Sequence, residues 1–126
     1  MEIKDFCTGI QHIGIPTNDI KATIAFYEQL GFQVVFQTIN QGESVAFLQL
    51  GNLVIETYES KSAVMQAGAI DHIALDVKDI DTLYEVMKDK HFHLLDNRVN
   101  YLPFWGHGVQ FFIIQGLSLI HISEPT

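Results

Sequence analysis

An α+β domain assembled from two tandem βαβββ modules is the fold this sequence predicts, and three observations predict it. First, the chain repeats itself. Residues 10–35, IQHIGIPTNDIKATIAFYEQLGFQVV, align without a gap on residues 70–95, IDHIALDVKDIDTLYEVMKDKHFHLL, at a constant offset of 60. Six pairs are identical: Ile10/Ile70, His12/His72, Ile13/Ile73, Asp19/Asp79, Ile20/Ile80 and Phe32/Phe92. Second, each copy passes from strand-like alternation to a helical apolar period at the same place. Third, the 126 residues suffice for one domain, 48% of them are apolar, and no low-complexity run interrupts them.

Each copy opens with a short strand, with Ile13 and Ile15 alternating in the first and Ile73, Leu75 and Val77 in the second. A helix follows. In the first copy Asn18 or Asp19 can cap it, Ile20, Ile24, Tyr27 and Leu30 recur at helical spacing, and Gly31 can end it. In the second, Asp79 can cap a helix striped by Ile80, Leu83, Tyr84 and Met87. Strands are expected over 32–38, 43–50 and 52–58, with turns at Asn40–Gly42 and Gly51–Asn52. The second copy is expected to supply a strand over 91–96, a loop through 98–108 and a strand over 109–115. The first module then covers about 9–60, a linker 61–68, and the second module about 69–116.

Charge excludes one function class. A net charge of −8, with one arginine and six scattered lysines, gives no basic face to displace counterions from phosphates, so nucleic acid is not an expected partner. No apolar run is long enough to span a membrane, and the N-terminus lacks a signal-peptide pattern. A single cysteine, Cys7, permits no intrachain disulfide and suits a reducing, cytoplasmic setting.

The chemistry-bearing candidates come from the repeat. Residues two apart on a strand share a face, so His12 points away from Ile13 and Ile15, and His72 away from Ile73 and Leu75. Glu56 sits in the strand LVIETYE, where an ionised carboxylate is costly to bury unless something pairs with it. Two imidazoles and a carboxylate suit a divalent metal such as Zn, Ni, Mn or Fe. His91 and His93 alternate on an expected edge strand and read as solvated. Phe104 and Trp105 are either core or the apolar wall of a pocket.

The stretches QHIGIPTNDIKATIAFYEQLGF, LGNLVIETYE, IDHIALDVKDID and LPFWGHGVQFFIIQG together resemble the glyoxalase / bleomycin-resistance / extradiol-dioxygenase (vicinal oxygen chelate) superfamily, over nearly all of residues 9–116. The resemblance implies modules curved into a cup-shaped, half-open barrel holding a divalent metal or an apolar ligand, often in a homodimer. In glyoxalase I-like members the ligands come as His-Glu from each module, and His12, Glu56 and His72 match the first three. The implied activity is that of a metal-dependent lyase or isomerase of the lactoylglutathione-lyase kind, acting on a thiol–aldehyde adduct. The alternatives are a non-catalytic antibiotic-binding protein of the bleomycin-resistance type and an extradiol dioxygenase. The last is disfavoured by Glu56, because those enzymes take their glutamate from the second module. In the implied pocket Phe104 and Trp105 supply apolar surface and Arg98 the one guanidinium. A single arginine and six lysines set against fifteen carboxylates are poorly matched to an anionic thiol.

The resemblance stops at LSLIHISEPT, residues 117–126. Similar sequences continue through a Pro-Asn-Gly-type turn to a strand whose glutamate, the family base, would fall near residue 123, which is Ser123 here. Two readings stand side by side. If the tail is native, aligning Gly51 with Gly116 sets His121 opposite Glu56, with Glu124 a weaker candidate. If it is foreign sequence joined after Gly116, the catalytic carboxylate has been replaced. The lost turn signal favours the second reading.

Overall fold

The computed structural model describes residues 2–68, 70, 72–104, 107–116 and 119–125. The chain divides into two compact units, Met1–Ala63 and Val64–Thr126, and the division falls within the expected linker. The expected α+β architecture of two βαβββ modules is present. Among the described residues no helix is long and apolar enough to cross a membrane.

In the first unit a turn of 3-10 helix, Ile3–Phe6, precedes β1 (Ile13–Thr17), α1 (Ile20–Gln29), β2 (Gln33–Asn40), β3 (Glu43–Leu50) and β4 (Leu53–Glu59). The sheet order is β1-β4-β3-β2, with β1 parallel to β4 and the other pairs antiparallel. Strand register assigns the two faces. Ala46, Leu48, Ile55 and Thr57 lie on one face and are fully buried together with Tyr27 of α1. Phe47, Glu56 and Tyr58 lie on the other, and parallel pairing sets Gly14 beside Glu56 and Pro16 beside Tyr58. A bulge between Val34 and Phe36 shifts the register of β2 and brings Phe36 onto the Phe47 face.

Local hydrogen bonds explain where these elements begin and end. Asp19 caps α1 by accepting the Ala22 N–H at 3.1 Å. Thr17, fully buried at the end of β1, accepts the Asp19 N–H at 3.0 Å and shares a 2.7 Å hydrogen bond with Thr23. Asn18 holds the chain after β4 instead, bonding the backbone of Ala63 in both directions. Gly31 ends the helix in the left-handed region at φ +104. Gln41 and Gly42, both left-handed at φ +51 and +81, form the tight hairpin turn expected there. The Ser44 N–H donates to Glu59 at 2.9 Å and holds that carboxyl below its ordinary range.

In the second unit β5 (His72–Asp76), α2 (Ile80–Asp89), β6 (Asn100–Leu102), β7 (Val109–Gln115) and β8 (Leu119–Pro125) give the sheet order β5-β8-β7-β6. Ile80, Tyr84 and Met87 of α2 are buried with Phe112, Ile114, Ile120 and Ile122. The atypical tail therefore fills the strand slot. It pairs in parallel with β5 and antiparallel with β7, and alternation lets its isoleucines reach the core.

Three expectations are corrected here. Residues 91–96 do not form a strand. Contact with β7 is limited to a single bridge, Leu94 to Ile114, with flanking bonds from Leu95 to Ile113 and from Gln115 to His93. The Asp96 carboxylate takes the Ile113 N–H at 3.0 Å, which occupies the donor that a continued ladder needs. Pairing resumes only at β6, inside the segment expected to be loop. His91 is not an alternating strand residue but the left-handed residue after α2, at φ +64, in the place of Gly31. Finally, Asp79 does not cap α2. It is left-handed at φ +53 and its side chain makes no cap bond. Glu124 holds the helix start in another way, its two oxygens accepting the Asp79 and Ile80 N–H groups at 3.0 Å each.

Candidate functional site

Of the expected ligands, the structure brings His12 and Glu56 together. His12 immediately precedes β1, and its Nε2 lies 3.5 Å from Glu56 Oε1 on the neighbouring strand β4. Both side chains are about one-third exposed or less, reachable but partly desolvated. Gly14 pairs with Glu56 across the parallel ladder. A Cβ at residue 14 would meet Glu56 Oε1 at 3.7 Å and the Tyr58 ring at 3.6 Å.

Two further neighbours orient the His12 ring. Gln11 Oε1 is 3.0 Å from Nδ1. The Phe47 ring stands edge-on, 5.4 Å between centroids at 85°, and Phe36 continues the aromatic surface 6.2 Å from Phe47. Beside the pair, Asn40, Gln41, Glu43, Val45, Glu56 and Tyr58 line an open depression of about 310 Å³. Sequence reasoning missed Phe47 and Phe36. The signal was there for Phe47, which sits one strand over from Glu56 on the same face. The bulge hid Phe36.

The second unit places His72 at the start of β5 and His121 on β8. Their rings stack at 3.5 Å between centroids and only 4° between planes, with Phe111 lying 6.1 Å beyond at 18°. Strand register settles which residue answers to Glu56. Glu56 pairs with Gly14 in β1 and with Phe47 in β3; His121 pairs with Ala74 in β5 and with Ile113 in β7. Gly14 and Ala74 correspond in the repeat. The position equivalent to Glu56 is therefore His121, as the alignment of Gly51 on Gly116 anticipates, whereas Ser123 lies two pairs further along, opposite Asp76. Glu124 is committed to the α2 N-terminus.

The remaining expectations fare differently. Arg98 is exposed and Phe104 is 51% exposed, and neither lines the depression. Trp105 lies outside the described residues. Among the described residues no three metal-ligating side chains gather in one place. The donors are arranged two per unit, His with Glu in the first and His with His in the second.

His12 and Glu56 supply an imidazole nitrogen and a carboxylate oxygen, donor types that a divalent metal accepts, at the separation of an ion pair, 3.5 Å.

The family model for the Glyoxalase/Bleomycin resistance protein/Dioxygenase superfamily matches residues 9–114. The chain belongs to that superfamily. The uncharacterized protein YwbC of Bacillus subtilis (strain 168) is 30% identical to it over 114 residues, spanning 85% of this chain and 88% of that protein. Three solved structures share the fold of this superfamily member. A glyoxalase family protein from Bacillus cereus superposes with a TM-score of 0.77 at 16% identity, covering 99% of each chain. The glyoxalase family protein from Enterococcus faecalis gives 0.72 at 23% identity, covering 94% of this chain and 99% of that one. The fosfomycin resistance protein FosX of Listeria monocytogenes gives 0.71 at 18% identity, covering 95% of each.

Proposed function

We propose that this superfamily member is a glyoxalase-like, metal-dependent lyase or isomerase acting on a small thiol–aldehyde adduct. In this reading His12, Glu56 and His72 are ligands of Zn, Ni, Mn or Fe, and the proton-transferring carboxylate has been lost with the native last strand. The observation that carries it is the approach of His12 Nε2 to 3.5 Å from Glu56 Oε1, which brings a nitrogen and an oxygen donor together on one face of the sheet.

A bound divalent ion would supply charge stabilisation for a substrate oxygen as the neighbouring carbon loses its proton. The protein's own residues hold and shape. His12 and Glu56 bind from adjacent strands, so the sheet itself sets their spacing. Phe47 and Phe36 offer an aromatic wall to the apolar part of a substrate. The family base would fall near residue 123, which is Ser123, leaving Glu124 and, at the register position equivalent to that of Glu56, His121 as weak candidates. Its ring is packed flat on His72, which supports a structural arrangement more than a poised base.

Residues 117–126 are, on this proposal, foreign to the protein. The absence of a turn signal after Gly116 supports this, as does the end of the family match at residue 114. The fold does not argue against it, because any segment with alternating apolar residues can fill the slot. A cytoplasmic homodimer acting on a soluble small molecule is part of the same proposal.

A second reading, a non-catalytic binding protein of the bleomycin-resistance type, is favoured by one observation. The donors lie two per unit, and no carboxylate occupies the register position of His121. Metal analysis of purified protein separates the two. Stoichiometric metal that disappears in His12→Ala is the outcome expected of the enzyme. Metal-free protein in both forms, even after incubation with zinc and nickel, would leave the binding reading in its place.

A further inference from the structure

The face of the first sheet that carries Glu56 changes character along its strands. Register sets three rows across it: Phe36, Phe47, Glu56 and Gly14; then Thr38, Val45, Tyr58 and Pro16; then Asn40 with Glu43 at the hairpin. The first row is aromatic and carries the His12–Glu56 pair, whereas the last is wholly polar. The open depression of about 310 Å³ lies at the polar end, lined by Glu43, Glu56 and Tyr58 and by the two amide side chains of Asn40 and Gln41. That volume is at the small end for a ligand pocket. Among the described residues the side chains of Asn40, Gln41, Glu43 and Tyr58 make no hydrogen bond or ion pair, so each keeps its bonding capacity for a ligand.

Strands β1–β4 contain no lysine or arginine. The three lysines of this unit lie elsewhere. Lys4 is in the N-terminal turn, 3.3 Å from Glu2, Lys21 is on α1, which packs on the Leu48 and Ile55 face, and Lys61 follows β4. An anionic ligand in the depression would meet two carboxylates and no counter-charge. An aliphatic ammonium, protonated below about pH 10, meets the reverse. Its three N–H donors match the carboxylate, amide and phenol oxygens of the lining, and the Tyr58 ring is a face on which a cation can rest. We infer that the depression is an ammonium subsite in which Glu43 selects for charge, so that the thiol part of the substrate carries a primary amine and no anionic group. This rests on the proposed reading only in taking the Glu56 face as the substrate-binding face, and it requires no bound metal.

The test is amide NMR titration of the EDTA-treated full chain at neutral pH with three unreactive thioethers that differ in charge. These are 2-(methylthio)ethylamine, 2-(methylthio)ethanol and 3-(methylthio)propanoate. The amine should shift the Asn40, Glu43 and Tyr58 signals saturably, the alcohol should bind about fivefold more weakly, and the propanoate more weakly still. Glu43→Gln should weaken the amine about fivefold, the upper end for an exposed ion pair, and leave the alcohol unchanged. Glu43→Asp, which keeps the charge, should recover most of that loss. Glu43 is exposed and bonds to no described residue, so these variants test recognition rather than folding. An amine that shifts none of these signals, or that binds no better than the alcohol or the propanoate, would overturn the inference. So would an amine affinity untouched by Glu43→Gln. Failure of the metal-dependent reading would look different: no metal uptake by the wild type, with the preference for the amine and its dependence on Glu43 intact.

Discussion

His121 occupies, in the second sheet, the register position that Glu56 occupies in the first. One unit thus pairs a histidine with a carboxylate, and the other stacks a histidine on a histidine. This is one position at which the two halves differ in the donor they present.

On the proposed metal-dependent reading, His121→Glu should supply a further carboxylate donor. Zinc affinity is expected to rise by at least about tenfold, since even supporting residues shift metal affinity by that much. Replacing residues 117–126 by the ending read from resequenced genomic DNA should raise hemithioacetal isomerisation above the level of the present chain. No gain from either change would show that the tail is not the defect.

Ligand removal gives a second prediction. His12→Ala and Glu56→Gln should each lose bound metal, measured by elemental analysis after dialysis, with the thermal unfolding midpoint of metal-free protein little changed. Both side chains sit on the face away from the core, so their loss opens no cavity among Leu48, Ile55 and Tyr27. Metal retained by both variants would remove these residues from the site.

Glu124 provides a test that concerns the tail and not the chemistry. Its carboxylate accepts the Asp79 and Ile80 N–H groups at the start of α2. Glu124→Ala should cost about 1 kcal/mol, as loss of a helix cap usually does, and lower the urea midpoint accordingly. An unchanged midpoint would mean that water serves these groups equally well.

Tyr27 should make stability fall in alkali. Burial pushes its hydroxyl from 10.0 up to about 12. The unfolded chain then releases this proton at lower pH than the folded one does. The associated stability is complete below pH 10 and is lost as pH rises from 10 towards 12, with an amplitude of about 2–3 kcal/mol. Urea unfolding of Tyr27→Phe across that window should show a distinctly flatter pH dependence.

Much of this was legible in the sequence, for physical reasons that differ by element. The repeat exposed both modules because the same alternation and helical period recur at one spacing. Strand parity set the face of His12 and singled out Glu56, but their adjacency needed the parallel pairing of β1 with β4. The helix cap of the second module was not legible, because its carboxylate comes from 45 residues away, whereas Asp19 caps from the adjoining position. The segment His91–Asp96 misled because its alternation is that of a strand. Only the fold shows Asp96 taking the ladder's donor with its side chain. Phe36 was out of reach because a bulge changes which face a residue meets without marking the composition.

The last strand divides its duties by parity. Ile120 and Ile122 answer to the core, and His121 and Ser123 to the opposite face. Folding therefore scrutinises every second residue of β8 and is indifferent to the rest. A chain can keep full solubility and a cooperative melt while its chemistry changes or disappears. For this architecture, a well-behaved purified protein is no witness to an intact active site.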